Sequence, residues 1–208
     1  SAHGGGMPIQ YDCFGHDEAI ADKKIVWHKP FKEKQIQLPL LKIKDLNFRK
    51  NSKKILLLFH PVTPRFVQRA NASPQCTDVL EDFEQKIELI NFLKPEISKF
   101  IKARILQSEN WDLKKRFIDL VGNKYLDGEK NYFSSLKNTK LVISGYPSTP
   151  FTEAIALNKP TICVMVDKFW PIEKKFQNLK KDLEKNKIIF NNPIEAAEHI
   201  QSIYNNID

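Results

Sequence analysis

The chain has 208 residues, of which 41% are hydrophobic and 28% are charged, the composition of one sizeable globular domain. No stretch approaches the roughly 18 apolar residues of a membrane span. Three scattered cysteines without a CxxC pair favour neither a disulfide framework nor a zinc site. The net charge of +8 indicates an anionic partner, although a lysine-rich surface without a single partner would give the same balance.

The first part of the chain, residues 1–48, shows no regular alternation of strands and helices. It begins with a glycine-rich stretch in which His3 precedes three glycines. That arrangement suits a catalytic or anion-binding loop, and equally a flexible tail. Short strands are predicted at residues 23–27, 36–38 and 41–43. We therefore treat residues 1–48 as a short N-terminal extension and residues 49–208 as the main domain.

A regular alternation of strands and helices begins at residue 53. Continuous apolar runs predict buried strands at residues 55–59, 103–106, 141–143, 161–166 and 188–190. Helical spacing and capping residues predict helices at residues 77–94, 112–121, 131–136, 150–157, 171–186 and 193–204. This order predicts an α/β fold with a Rossmann-like, mostly parallel sheet flanked by helices. Ligands of such sheets bind at the carboxyl ends of the strands.

The stretch from residue 140 to residue 166 carries the strongest functional signal. We expect Thr149 to cap a helix that starts at Pro150, where free backbone amides attract anions. The hydroxyls of Ser148, Thr149 and Thr152 would add hydrogen bonds to a phosphate. Glu153, one turn inside the helix, would accept hydrogen bonds from sugar hydroxyls. The simpler alternative is an ordinary helix cap with an acidic residue in the first turn.

Charged residues follow the predicted strand at residues 55–59. His60, with Pro61 after it, would stabilise a phosphate or a leaving group. Arg65 and Arg69 lie further along this loop, where they would pair with phosphate oxygens. The alternative for His60 is a strand-end histidine bonded to the backbone, and taken alone this is the commoner case. If the sheet is parallel, these residues reach the same edge as Ser148.

A second function remains open because of the basic charge: a non-catalytic module that binds nucleic acid or an anionic membrane surface. Phe169 and Trp170 precede a predicted helix that has Leu179 and Leu183 on its apolar face and several lysines off that face. Exposed aromatic residues beside lysines dock on anionic lipid. A tryptophan packed inside the domain is the favoured alternative, because large aromatic side chains are usually buried. No nucleic-acid-binding motif is present, so we expect no nucleic acid partner.

The block SGYPSTPFTEAIALNKPTI resembles the donor-site signature of glycosyltransferases with the GT-B fold. Five segments occur in the same order in a family of bacterial surface-carbohydrate transferases of the O-antigen type: HGGGMPI with DEAIADKKIVWH, PVTPRFVQRANASPQ, STPFTEAIALNKPTI, FWPIEKKF and NNPIEAAEHIQSIYNNID. Members of that family are much longer, so this chain would match about their carboxyl-terminal third. The resemblance implies that residues 49–208 bind the donor nucleotide and that residues 1–48 are the tail of the acceptor-side domain and a linker.

The same resemblance implies the chemistry of the site. The small-residue turn at Ser144 and Gly145, with Glu153, would hold a nucleotide sugar, which is a substrate, and no cofactor is expected. The pair His60-Pro61 is similar to the His-Pro dipeptide of bacterial sialyltransferases and Kdo transferases, and Ser148 with Thr149 would be its partner pair.

The resemblance also implies how the reaction is organised. No DXD-like metal motif occurs, which agrees with a metal-independent transfer. The general base would come from the other domain, and His3 is a candidate within this chain. The acceptor would be a polysaccharide or a lipid-linked molecule. The location would be cytoplasmic, with peripheral contact at the inner face of the membrane.

Overall fold

The computed structural model describes residues 20–26, 29–30, 32–38, 52–59, 74, 78–105, 111–172 and 174–207. The boundary expected between residues 48 and 49 lies outside the described residues, as does the strand expected at residues 41–43. Within the N-terminal extension, strands β1 (Lys24–Val26) and β2 (Gln35–Gln37) pair in parallel as a two-stranded sheet of their own. The division into two parts therefore stays a prediction.

The main domain contains a five-stranded sheet in which every neighbouring pair is parallel. Its strands are β3 (Lys54–Leu58), β4 (Ile101–Arg104), β5 (Thr139–Ser144), β6 (Thr161–Val164) and β7 (Ile189–Phe190). They lie in the order β4-β3-β5-β6-β7, which confirms the predicted Rossmann-like α/β fold. The chain order reverses between β3 and β5, and open α/β sheets bind their ligands at such a switch point.

Seven helices connect and cover the strands within the described residues. They are α1 (Asp78–Phe92), α2 (Pro95–Ser98), α3 (Leu113–Leu120), α4 (Tyr132–Lys137), α5 (Thr149–Ala156), α6 (Gln177–Lys185) and α7 (Pro193–Ile203). Short 3-10 turns occur at Asn123–Tyr125, Lys174–Phe176 and Tyr204–Asn206. In the part of the chain that the structure describes, no helix combines the length and apolar character needed to cross a bilayer.

Helices cover both faces of the sheet, which explains why its strands are continuous apolar runs. Ile55 and Leu57 of β3 are fully buried on one face, against apolar residues of α1, α3 and α7. Leu56 and Leu58 face the other side, where they pack against α4 and α5. A further cluster beneath β6 and β7 includes Trp170 and is covered by α6.

The last helix starts at Pro193, as predicted from the sequence. Asn192 caps α7, accepting hydrogen bonds from the amides of Ile194 (2.8 Å) and Glu195 (3.4 Å), and Pro193 occupies the first helical position. These signals are local, because the cap and the amides it satisfies lie within four residues of each other.

The helix predicted at residues 171–186 starts later, at Gln177, and its inner face differs from the predicted one at one position. Leu179 is 42% exposed, whereas Lys180 is buried and forms ion pairs with Asp167 (2.8 Å) and Glu184 (2.6 Å). Leu183 packs against the cluster beneath β6 and β7 as predicted, so only the inward placement of Leu179 is wrong. The ion pairs allow the ammonium group to lie on the inner side.

Candidate functional site

The turn between β5 and α5 lies at the carboxyl edge of the sheet, at the switch point. Ser144, the last residue of β5, is in register with Leu58 at the end of β3 and with Cys163 in β6. His60 and Arg65 follow β3 in the sequence but lie outside the described residues, and so does His3. The structure therefore brings together six predicted site residues: Ser144, Gly145, Ser148, Thr149, Thr152 and Glu153.

The first two residues of the turn are held by contacts inside the protein. Ser144 is fully buried, and its hydroxyl donates a hydrogen bond to the Tyr146 carbonyl at 2.6 Å. The Gly145 amide donates to the Leu58 carbonyl at 2.8 Å. A Cβ atom on Gly145 would lie 2.7 Å from that carbonyl oxygen and 2.7 Å from the Cε atom of Lys86. Gly145 is therefore required because neighbouring atoms approach its backbone closely.

The start of α5 differs by one position from the predicted cap. Ser148 is the N-cap residue, with extended backbone (φ −131°), while Thr149 is the first helical residue and Pro150 the second. The prediction of Thr149 as the cap is wrong because Thr149 already has helical geometry. The Ser148 side chain makes no capping hydrogen bond to the helix. Ser148 is a half-buried residue, and so is Thr149.

The first backbone amides of α5 lie before the residue whose amide donates the first hydrogen bond within the helix. That bond runs from the Thr152 amide to the Ser148 carbonyl at 3.1 Å, and the Thr152 hydroxyl also lies 3.4 Å from this oxygen. The amides of Thr149 and Phe151 belong to the group that finds no partner within an α-helix, whereas Pro150 has no N–H. With the positive end of the helix dipole, these amides form a seat suited to an anion.

Glu153 lies on the inner side of α5 and is only 6% exposed. Two tyrosines lie near it: Tyr132, whose hydroxyl donates to the Pro150 carbonyl at 2.7 Å, and Tyr146. Burial first, and then the charge of Glu153, raise the pKa of Tyr132. Burial, the nearby Cys163 and Glu153 raise the pKa of Tyr146 in the same way. Both phenols therefore stay neutral, and the use of Glu153 as an acceptor of sugar hydroxyls stays a prediction.

A buried ion pair that is not among the predicted site residues lies behind the turn. Asp82 and Lys86 of α1 form a salt bridge, and their side chains are at most 1% exposed. The Asp82 carboxylate also accepts a hydrogen bond from the indole nitrogen of Trp170 at 3.1 Å. Trp170 in turn stacks on Tyr146 of the turn, with ring centroids 6.0 Å apart and planes 21° apart. The charged pair thus connects α1 to the β5–α5 turn.

The spacing of residues along α1 contains a signal for this pair. Asp82 and Lys86 are four residues apart and fall within the stripe formed by Val79, Phe83 and Ile87, all of which are buried. Opposite charges at this spacing inside an apolar stripe indicate a buried pair. The burial of Trp170 confirms the packed alternative over an exposed aromatic side chain.

Cys163 of β6 lies close to the same pair and is fully buried. Burial raises the pKa of its thiol, although the charge of Lys86 opposes that effect. The group therefore stays a neutral thiol and behaves as a small apolar side chain. In the part of the chain that the structure describes, no three side chains of His, Cys, Asp or Glu come together as metal ligands.

The fold and the turn define a class of protein: a Rossmann-like α/β protein with a helix start at the switch point of a parallel sheet. The sequence matches the model of one family, described as LIC12162 family transferase, over residues 2–208. The chain belongs to this transferase family. Searches among curated proteins and among solved structures gave no match.

Proposed function

We propose that this transferase is a glycosyltransferase of the GT-B type, or its donor-binding half, and that the β5–α5 turn binds a nucleotide sugar. The observation that carries the proposal is the position of the turn. It places a helix start, with the half-buried residues Ser148 and Thr149, at the switch point between β3 and β5. The resemblance of the STPFTEAIALNKPTI block to a donor-site signature supports the same assignment.

The phosphate of the donor would accept hydrogen bonds from the Thr149 and Phe151 amides and from the Ser148 hydroxyl. During transfer the bond between the sugar anomeric carbon and the phosphate oxygen breaks, and the acceptor oxygen forms a bond to that carbon. The leaving phosphate gains negative charge, so donors already aimed at it stabilise the transition state. The acceptor hydroxyl loses its proton to a general base, for which His3 is a candidate within this chain.

The surroundings of the seat keep it in one geometry. Gly145 is held against Leu58 and Lys86, and Tyr146 is held against Trp170. The Tyr132 hydroxyl holds the Pro150 carbonyl in the first turn of α5. Donors that are already in place bind a phosphate without a further cost of ordering. His60 and Arg65 are proposed to complete the seat from the loop after β3.

The acceptor is proposed to be a polysaccharide or a lipid-linked molecule in the assembly of bacterial surface carbohydrate. This assignment rests on the resemblance to O-antigen-type transferases and on membership of a transferase family. The non-catalytic basic module is supported by the net charge of +8. However, Phe169 and Trp170 are at most 4% exposed, so they offer no surface for lipid or for base stacking.

Titration of the chain with CMP, UDP and GDP, followed by amide NMR shifts, tests the proposal. We expect saturable binding of one nucleotide, with the shifts centred on residues 145–152. Ser148→Ala should weaken binding by about tenfold, the usual effect of losing one hydrogen bond to a charged group. Ser202→Ala is the matched control, because that serine lies on α7 and donates to the His199 carbonyl.

Two outcomes would contradict the proposal. One is equal weakening by Ser148→Ala and Ser202→Ala. The other is binding of every polyanion with similar affinity and a steep dependence on salt, which is the behaviour of a non-catalytic basic module.

A further inference from the structure

A polar cleft lies at the opposite end of the parallel strands from the proposed donor seat. Its volume is about 440 Å³, and its lining includes Lys53, Lys94 and Lys140. Lys53 immediately precedes β3, and Lys140 is the second residue of β5. The cleft is therefore at the amino ends of the strands, whereas the β5–α5 turn is at their carboxyl ends.

Two stacked aromatic rings form the floor of this cleft. Phe100, immediately before β4, and Tyr204, at the end of α7, have ring centroids 6.1 Å apart and planes only 19° apart. The Tyr204 hydroxyl donates a hydrogen bond to the Lys53 carbonyl, which ties the floor to the start of β3. Burial raises the pKa of Tyr204 to about 12, so the phenol is neutral and does not repel an anion.

Ammonium groups lie over both rings of the floor. The Nζ atoms of Lys53 and Lys99 are 5.8 Å and 5.1 Å from the centroid of Phe100. The Nζ atom of Lys140 is 5.2 Å from the centroid of Tyr204. Cation–π attraction at these distances favours positions of the ammonium groups above the rings by about 0.5–1 kcal/mol each at exposed sites.

Within the described part of the chain, Lys53, Lys94, Lys99 and Lys140 form no salt bridge with a carboxylate. Glu96 is the acidic residue in the lining, so cations outnumber carboxylates there. Three lysines in the lining, with Lys99 close to the Phe100 ring, raise the local concentration of anions.

We propose that this cleft binds the phosphate group of an anionic ligand, either a soluble phosphorylated molecule or a lipid headgroup. Lysine side chains bind phosphate as point charges, and several together suit a group that carries more than one negative charge. The half-buried Phe100 offers contact to an apolar part of the same ligand, and the buried Tyr204 supports it from beneath. The cleft is separate from the proposed donor seat, and the proposal does not depend on it.

Amide NMR shifts of the full chain during titration with inorganic pyrophosphate test the proposal. We expect saturable shifts at Gln201 and Asn205, which line the cleft. The double variant Lys53→Gln, Lys140→Gln should weaken binding by about tenfold for each lysine lost. The control is Lys174→Gln, Lys181→Gln, which changes the net charge equally but alters two exposed lysines outside the cleft lining. Ser148→Ala should leave these shifts unchanged, which separates this site from the donor seat.

Sedimentation with vesicles distinguishes the two sources of phosphate. Vesicles of phosphatidylcholine with phosphatidylglycerol should bind the chain, and pyrophosphate should release it, if the ligand is a lipid headgroup. Pyrophosphate binding at the cleft without vesicle binding assigns a soluble phosphorylated ligand. The proposal is overturned if pyrophosphate shifts no amide of the cleft, or if the two double variants lose affinity equally.

Discussion

Replacement of Lys86 by methionine tests whether the buried pair holds the β5–α5 turn. Methionine has a similar length but no charge, so the substitution removes the ammonium group while filling most of its space. Asp82, which is 0% exposed, would then keep a buried carboxylate without its cation. Breaking a buried pair in this way costs about 3–5 kcal/mol. The whole stability of a typical domain is about 5–15 kcal/mol, so the loss would be large.

Denaturant-induced unfolding, followed by circular dichroism, measures this loss. The double variant Asp82→Asn, Lys86→Met should recover most of the stability, because neither charge remains to be buried and the indole of Trp170 keeps an acceptor. The control is Lys168→Met. Lys168 pairs with Glu81, which lies on α1 like Asp82 and Lys86. Both side chains of this pair are about half exposed, so removing the Lys168 charge should change stability little.

Two results would refute this reasoning. In the first, Lys86→Met unfolds at the same denaturant concentration as the wild type, which means that the buried charge of Asp82 has little cost. In the second, the double variant loses as much stability as Lys86→Met. The cause would then be lost packing around the lysine stem, not an unpaired charge.

Three further changes have expected outcomes. Gly145→Ala should lower the free energy of unfolding by about 1–3 kcal/mol, because its Cβ would contact Leu58 and Lys86, whereas Gly128→Ala has nothing within 4 Å and serves as the control. Burial alone would raise the pKa of Asp127, but hydrogen bonds from Lys54, Ser135 and Arg104 hold it below its ordinary value of 3.8. The ionised Asp127 therefore contributes stability above pH 3.8, and this contribution is lost as the pH falls through its lower pKa in the folded protein. Asp127→Asn should remove this part of the acid unfolding curve. Burial, and then the charge of Lys187, lower the pKa of His199 below 6.5. The unfolded chain then binds the proton first, so stability should fall as the pH drops below 6.5, and His199→Gln should flatten that region of a stability-against-pH profile.

The alternation of apolar runs with helical spacing is sufficient by itself to determine the fold class. Leu56 and its neighbours in β3 are apolar without interruption because both faces of the sheet are covered, and this requirement is visible in the sequence itself. The cap at Asn192 is equally readable, because a cap and its amides are neighbours along the chain. Membership of a transferase family is also carried by the sequence, and the matched region spans residues 2–208.

Element ends are less readable than element types. The strand expected at residues 103–106 occupies Ile101–Arg104, and the cap of α5 falls on Ser148, not on Thr149. Propensities change little over one or two residues, so the final boundary depends on which hydrogen bonds the neighbouring elements offer. In β4 the deciding partner is β3, to which it pairs in register from Ile55 and Ile101 onward.

Only the tertiary structure decided what surrounds the two candidate sites. Gly145 lies against Lys86, and Lys53 lies over Phe100, although each pair is separated by at least 47 positions in the printed sequence. The pairing of β3 with β4 and β5 brings these residues together. The sequence determined an α/β transferase domain with an anion seat as a candidate site. The buried pair behind that seat and the lysine cleft at the opposite edge depend on long-range packing, because local propensity contains no information about which distant surfaces meet.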